Sequence, residues 1–156
     1  MAILNILKEG DEALRKKCRR VDEITPRIHQ LLDDMHETLE KAQGVGLAAP
    51  QIGVLRRIVI VEIDDVKYEM INPEIIATKG KQTEIEACLS VPETFGSVER
   101  PAWVKVRAMD RNGNVYEAEG EGLMARCFCH ELDHLDGILY IDKATETFGP
   151  DDVEEA

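Results

Sequence analysis

Apolar side chains recur with helical spacing in one stretch near the start of the chain. Thr25-Pro26 is typical of a helix start, because threonine caps an N-terminus well and proline suits the first helical position. Beyond it, apolar residues follow the i, i+3, i+4, i+7 stripe of an amphipathic helix: Ile28, Leu31, Leu32, Met35 and Leu39. The pattern predicts an N-terminal amphipathic helix that ends before the GVG sequence at 44–46.

The middle of the chain carries the short apolar or alternating runs that are typical of β-strands. Four such segments are predicted as strands: residues 57–61, 67–71, 103–109 and 115–118. An Asp-Asp pair joins the first two, and an Arg-Asn-Gly-Asn turn joins the last two into a hairpin. Asn72-Pro73 is interpreted as an interruption after the second strand.

A second helical pattern returns late in the chain, over residues 123–136, and Gly137 stands where a glycine commonly follows a helix end. This order predicts an α+β fold in which antiparallel strands pack around a central late helix, rather than a βαβ repeat. At this length we expect one domain, over residues 1–148. The acidic residues 149–156 are predicted to form a flexible tail.

Charge and composition restrict the partners and the compartment. A net charge of −12 argues against direct nucleic-acid binding, which calls for clustered Lys and Arg. The N-terminus lacks a basic region followed by a sustained apolar run, and no segment is long enough to cross a membrane. We therefore expect a cytoplasmic protein whose four cysteines are reduced, so that a thiolate is available as a metal ligand.

Candidate chemistry is concentrated in the HELDH sequence of the late helix. His130 and His134 are four residues apart and share one face of that helix, with Glu131 between them. Two such histidines can hold a metal while the glutamate acts on a metal-activated water. The alternative is a solvated helix face that carries two histidines by chance. Asp133 is expected to hydrogen-bond one ligand imidazole.

A catalytic site of this kind needs a third protein ligand and one open position. Tyr140 stands where a metzincin-like pattern needs histidine, and Glu154 lies in a tail with no helix to hold it. Cys127 and Cys129 precede the first histidine too closely to complete the site. Cys88 is distant in sequence and can come from a separate loop, although a lone cysteine is more often a small core residue. Beside HELDH, Cys88 is the favoured candidate.

Three blocks of the chain resemble the peptide deformylase family: GVGLAAPQ at 44–51, EACLS at 86–90 and HELDH at 130–134. The usual forms are GxGLAAxQ, EGCLS and HExDH, so Ala87 departs from the family's glycine. The resemblance makes Cys88 the third ligand, with His130 and His134. It implies one divalent metal ion, natively Fe²⁺, with Zn²⁺, Ni²⁺ or Co²⁺ able to occupy the site.

The resemblance also implies the activity, which is removal of the formyl group from the N-terminal methionine of new polypeptides, with release of formate. Glu131 becomes the general base and acid. The Gln51 side-chain amide and the Leu89 backbone N–H become the donors to the oxyanion. Without the family, Gln51 would be interpreted as an ordinary loop residue.

The same resemblance assigns a substrate cleft. Gly44, Val45 and Gly46 line it and hydrogen-bond the peptide backbone, and Val45, Leu123 and Cys127 surround the methionine side chain. By apolar pattern alone, these last three would more often be core residues. Bacterial members often continue into a long C-terminal helix that docks at the ribosome. This chain stops soon after its YID sequence at 140–142, so activity on free peptides is supported more strongly than ribosome association.

Three features of the cleft region set further expectations. Arg126 and Glu84 stand where more apolar residues are expected, and Glu86 and Arg100 are expected to form an ion pair beneath the loop. The alternative for that pair is two solvated charges. Ala87 is tolerated if its backbone is extended rather than left-handed.

Two other functions remain alternatives. A zinc endopeptidase would take an acidic residue of the tail as its third ligand, or none. A non-catalytic metal protein would use Cys127 and Cys129 with the two histidines as a closed structural site.

Overall fold

A computed structural model describes residues 2–149, so the predicted tail lies outside the described residues except for Gly149. The helices in this range are α1 (Pro26–Ala42) and α2 (Gly122–Leu135). The strands are β1 (Gly46–Ala48), β2 (Ile58–Ile63), β3 (Val66–Lys79), β4 (Gln82–Cys88), β5 (Val91–Arg100), β6 (Trp103–Met109), β7 (Val115–Glu121) and β8 (Glu146–Phe148). Short 3-10 helices occupy Glu12–Arg15, Ala49–Ile52 and Tyr140–Asp142.

The strands form two antiparallel sheets. The larger has the order β1-β2-β3-β6-β7, and the smaller has the order β4-β5-β8. The predicted α+β class is therefore confirmed, and the four predicted strand segments overlap β2, β3, β6 and β7, although the first begins one residue before β2. None of the helices in residues 2–149 combines the length and the apolar character needed to cross a membrane.

Asn72-Pro73 does not end the second predicted strand, which corrects the sequence interpretation. Asn72 takes a positive φ of 52° inside β3, and the pairing of β3 with β6 shifts register between Ile71 and Glu74. The Asn72 amide also bonds both backbone groups of Val21, at 2.8 Å each. The dipeptide therefore makes a bulge that pins the N-terminal segment to the sheet.

The strands β4 and β5 were not predicted, because their polar pattern resembles that of a surface loop. β4 is the outer strand of its sheet, so most of its side chains are exposed. Glu86 and Arg100 are buried on these two strands and pair with each other, although a period-two pattern would count both as surface residues.

Helix α2 packs against the larger sheet through Phe128, Leu132 and Leu135, which share an apolar cluster with Val59 and Val104. Its end differs little from the prediction. Asp136 closes the last turn, and Gly137 follows with a left-handed φ of 76°. A side chain at position 137 would also collide with the Arg15 carbonyl, at 2.5 Å. Both constraints explain the glycine, and they fix α2 against the N-terminal segment.

Helix α1 packs its predicted apolar stripe against the opposite face of the larger sheet from α2. Leu32, Met35 and Leu39 are fully buried and cluster with Ile58 and Ile60 of β2. Thr25 occupies the N-cap position, but its hydroxyl makes no capping hydrogen bond. The helix ends at Ala42 and is followed by the left-handed Gln43, which directs the chain into β1 beside α2.

Candidate metal centre

The fold brings together three side chains that can bind a metal. Cys88 ends β4, whereas His130 and His134 lie one turn apart on α2. Their potential ligand atoms all lie within 4.8 Å of one another, and Cys88 Sγ is 3.4 Å from His134 Nε2. The two imidazole rings are 5.2 Å apart, at an interplanar angle of 65°. One sulfur and two nitrogens converging from two elements match the donor set of a three-ligand metal site.

The two predicted imidazole ligands differ in protonation. Burial lowers the pKa of His134 well below its ordinary value, so this imidazole is neutral and offers a lone pair. Its Nδ1 is buried without a hydrogen-bond partner in the described chain. Burial would lower the pKa of His130 too, but Cys88, Glu131 and Glu86 together raise it to about 10. Without metal, the cluster therefore retains a proton, for which a metal must compete.

Glu86 holds His130, a predicted metal ligand, in place. Its Oε1 lies 2.9 Å from His130 Nδ1, and this bond leaves Nε2 as the nitrogen available to a metal. Burial would raise the pKa of Glu86, but hydrogen bonds from His130 and Arg100 lower it to about 2. Asp133 was expected to make this supporting hydrogen bond, and that prediction was wrong. Asp133 instead accepts from Arg100 Nη1 at 2.6 Å and from Lys143 Nζ at 3.0 Å.

The expected ion pair between Glu86 and Arg100 is present and is not a pair of solvated charges. Both residues are 4% exposed. The guanidinium approaches the carboxylate through Nε at 2.9 Å and Nη2 at 3.0 Å, a bidentate arrangement. The buried pair ties β4 to β5 directly below the predicted metal ligands.

Glu131 lies beside this cluster with a free carboxylate oxygen. It is 4% exposed, and its Oε1 has no hydrogen-bond partner in the described chain. Burial, followed by repulsion from Glu86, raises the pKa of Glu131 to about 7. A carboxylate with this pKa can both take up and release a proton at neutral pH.

Gln51 directs its amide toward the same place. Its Oε1 accepts from the Ala48 backbone N–H at 2.9 Å, which fixes the orientation of the side chain. Its Nε2 donates to Ser90 Oγ at 3.1 Å and faces Cys88 Sγ at 3.6 Å. Leu89 follows Cys88 in the turn between β4 and β5. The two predicted oxyanion donors therefore flank the predicted ligand Cys88.

A cavity of about 370 Å³ opens beside these groups. Its walls include all five predicted cleft residues: Gly44, Val45, Gly46, Leu123 and Cys127. Val45 and Leu123 are exposed at 42% and 52%, whereas Cys127 is buried. The structure thus groups two of the predicted metal ligands, Cys88 and His130, with Glu131 and the cleft residues around one cavity.

The whole chain can also be compared with known proteins. The family model for polypeptide deformylase matches residues 3–148. The chain belongs to this family. It is 57% identical to a peptide deformylase of Agathobacter rectalis, over 92% of this chain and 90% of that protein. It is 50% identical to peptide deformylase 1 of Clostridium acetobutylicum, over 96% of this chain and 99% of that protein.

Solved structures of peptide deformylases agree with this fold. The enzyme of Legionella pneumophila is 41% identical, with a TM-score of 0.89 over 92% of this chain and 86% of that one. The enzyme of Synechococcus elongatus, in complex with actinonin, is 35% identical, with a TM-score of 0.89 over 98% of this chain and 83% of that one. The chain is therefore a metal-dependent hydrolase that removes the N-formyl group from newly made polypeptides.

The described residues do not support the metal sites that the two alternative functions would need. Among them, the one group able to hold a metal contains neither Cys127 nor Cys129. Tyr140 stacks on His130 at 5.8 Å and donates its hydroxyl to the Thr94 carbonyl, so it is a packing residue. Glu154 lies outside the described residues. All four cysteines are free, as expected of reduced thiols.

Ala87 lines the cavity without backbone strain. It belongs to β4 and is not among the residues of the described chain that have a positive φ. Its methyl group is exposed and lines the cavity. The extended backbone expected for a tolerated alanine is therefore present.

Two cavity residues were missed or misjudged in the sequence. Ile85 is 45% exposed at the cavity edge, and an isoleucine between two glutamates on an unpredicted strand gave only a weak signal. Arg126 stands where a more apolar residue was expected, yet it is buried and hydrogen-bonded to Glu86 at 3.0 Å. Only the folded chain shows that partner, which lies 40 residues away.

Proposed function

We propose that Cys88, His130 and His134 bind one divalent metal ion, natively Fe²⁺, with Zn²⁺, Ni²⁺ or Co²⁺ able to take its place. The observation that carries the proposal is the convergence of their ligand atoms within 4.8 Å. A thiolate with two imidazoles suits this group of metals and leaves one coordination position open. When bound, the metal would polarise the formyl carbonyl and lower the pKa of a water molecule.

Glu131 is proposed to move the proton. Its unpartnered Oε1 takes a proton from the attacking water, and the resulting acid returns that proton to the amine nitrogen. The formyl C–N bond breaks, and the products are formate and a polypeptide with a free amino terminus. The pKa of about 7 supports both directions of transfer at neutral pH.

The Gln51 amide and the Leu89 backbone N–H are proposed to stabilise the negative charge that develops on the formyl oxygen when water attacks the formyl carbon. The bond from Ala48 N to Gln51 Oε1 supports this role, because it fixes the direction of Nε2 before substrate arrives. Donors held in advance need little reorganisation as charge develops, which is the basis of their effect on rate.

The substrate is proposed to be a formyl-methionyl peptide lying in the cavity. Gly44, Val45 and Gly46 would contact its backbone, because a strand edge with glycines allows close approach. Val45, Leu123 and Cys127 would surround the methionine side chain. A cavity of about 370 Å³ is of the size that encloses a small ligand group.

For the whole molecule, we propose one metallohydrolase domain over residues 1–148, with α2 as its central helix and α1 as an N-terminal amphipathic helix. We further propose a cytoplasmic protein that binds neither nucleic acid nor membrane directly. The net charge of −12 supports the first exclusion. Association with the ribosome is the remaining partner hypothesis.

The test uses anaerobically purified, iron-loaded protein with a formyl-methionyl peptide, its acetyl-methionyl counterpart and a formyl-glycyl peptide. We expect formate from the formyl-methionyl peptide, far less from the formyl-glycyl peptide and no hydrolysis of the acetyl peptide. Equal rates on the two formyl peptides would refute the methionine pocket. Hydrolysis of the acetyl peptide would refute selection of the formyl group.

A further inference from the structure

Arg126 is a buried arginine in the wall of the cleft. It is 5% exposed and lies on α2, one turn before His130. Its Nη1 donates to Glu86 Oε2 at 3.0 Å, and its Nη2 donates to Gln82 Oε1 at 2.9 Å. Both acceptors belong to β4, the strand that ends in Cys88. One side chain therefore joins the helix that carries two predicted ligands to the strand that carries the third.

Strand β4 has a paired strand on one side only, so its position relative to α2 depends on other contacts. It is the outer strand of its sheet and pairs with β5 alone. That pairing shifts register between Glu86 and Cys88, so the ladder is interrupted directly before the predicted ligand. The position of Cys88 relative to α2 is therefore not fixed by backbone pairing at that point, and side-chain contacts must contribute.

Glu86 has two arginine partners, but they are not equivalent. Arg100 is shared, because its Nη1 also bonds Asp133 Oδ2 at 2.6 Å. The other partners of Arg126 in the described chain are neutral: the Gln82 amide and the carbonyls of Glu84 and Val98. Glu86 is thus the one charged group that Arg126 hydrogen-bonds in the described chain, and Glu86 in turn bonds His130 Nδ1.

We propose that Arg126 is a positioning residue of the metal centre. It ties β4 to α2 and holds Glu86 against His130, so it sets the geometry of Cys88 relative to the two histidines. The inference rests on the ligand set of the proposed function. Groups that orient metal ligands commonly change metal affinity by roughly 10- to 100-fold when they are removed.

The test compares three variants of the full chain. Arg126→Met keeps an apolar stem and removes every hydrogen bond, whereas Arg126→Lys keeps the charge without the planar fork. Arg107→Met is the matched control, because Arg107 is an exposed arginine on β6 that pairs with Glu117. The readouts are the Zn²⁺ dissociation constant by chelator competition and the visible spectrum of Co²⁺-loaded protein, which reports the thiolate ligand.

We expect Arg126→Met to bind Zn²⁺ roughly 10- to 100-fold more weakly, with an altered Co²⁺–thiolate band. Arg126→Lys should fall between it and the wild type, and Arg107→Met should match the wild type. A general loss of packing alone would lower the melting temperature and leave the Co²⁺ band unchanged. An unchanged affinity and spectrum in Arg126→Met would overturn the inference.

Two further outcomes keep the inference separate from the proposed function. A wild-type chain that fails to bind Zn²⁺ would refute the ligand set itself, whereas tight wild-type binding with no effect of Arg126→Met refutes only the positioning role. If Arg126→Met does not fold, Gln82→Leu removes the second anchor of the same guanidinium. It should weaken Zn²⁺ binding by at least about fivefold, because it removes the hydrogen bond to Arg126 together with the bonds from the Gln82 amide to the Pro101 and Gly122 carbonyls. Unchanged binding in Gln82→Leu would then overturn the inference.

Discussion

Replacing Gly46 with alanine should displace the Glu131 carboxylate without removing any predicted metal ligand. Gly46 lies in β1 with no positive φ, so an added Cβ meets no backbone penalty. That Cβ would stand 2.5 Å from Glu131 Oε2 and 2.8 Å from Cys127 Sγ. Both contacts are far inside normal van der Waals separation, so the two side chains must move.

The size of the effect follows from the required shift. To reach an ordinary contact distance, the Glu131 carboxylate must retreat by roughly 1 Å. Displacement of a catalytic group by this distance commonly lowers rate by about 100-fold, which corresponds to about 2.7 kcal/mol in the activation free energy. Overpacking should also lower the free energy of unfolding by about 1–3 kcal/mol, so the variant should remain folded at 25 °C.

The assay measures formate release at saturating peptide, together with metal content and urea unfolding. Gly46→Ala should keep the metal of the wild type and lose about 100-fold in kcat. A double-mutant cycle supplies the control. In a Glu131→Gln background, the same alanine should change the remaining rate by less than about threefold, because the proton-transfer group is already absent.

Two results would contradict an effect of Gly46→Ala through Glu131. A Gly46→Ala enzyme with nearly wild-type turnover would mean that the carboxylate position is not critical. An equal loss in both backgrounds would mean that the alanine acts on substrate binding or on the fold rather than through Glu131.

Three other changes have defined outcomes. Glu131→Gln should retain metal and lose most turnover, as measured by elemental analysis and formate release; full activity would exclude Glu131 as the base. Phe128→Ala should lower the free energy of unfolding by about 3–5 kcal/mol in urea titrations, because the ring is fully buried beside Tyr68; a loss below about 1 kcal/mol would contradict that packing. His36→Gln tests a pH-dependent contact between α1 and the sheet. His36 bonds Glu69 at 2.8 Å and Glu62 at 2.7 Å. The bond to Glu69 contributes most to raising the pKa of His36, and the bond to Glu62 adds to it. The stabilisation is complete below the unfolded value of about 6.5 and is lost as pH rises through the folded pKa, so the stability advantage of wild type over His36→Gln should shrink between about pH 6 and pH 9. A constant advantage in urea titrations at both pH values would contradict it.

Local patterns were enough for the elements that bury one regular face. The α1 stripe is visible because Leu32, Met35 and Leu39 face a single core, and β6 alternates because only one of its faces is buried. The three sequence blocks contain most of the residues that line the cavity, because each block places its functional residues within a few positions of one another. These features could be predicted because residues close together in the sequence determine them.

The predictions that failed concern side chains whose partners are distant in sequence. Glu86 was expected to pair with Arg100 beneath the loop, yet it also binds Arg126 and His130, which lie on another element. Asp133 was preferred as the partner of a ligand histidine because it is close in sequence, but on the folded helix it faces Arg100 and Lys143. A buried charge looks like a surface residue until its partners are known.

The most direct test of the account is the metal content of Cys88→Ala beside Cys129→Ala. Both variants remove one thiol, but only Cys88 lies among the predicted ligands, whereas Cys129 is a buried neighbour of His130 that belongs to the apolar cluster of α2. After loading and desalting, we expect Cys129→Ala to hold one metal ion per chain and Cys88→Ala to hold almost none. A full complement of metal in Cys88→Ala would contradict the proposed centre, and loss of metal in Cys129→Ala alone would point to a closed structural site.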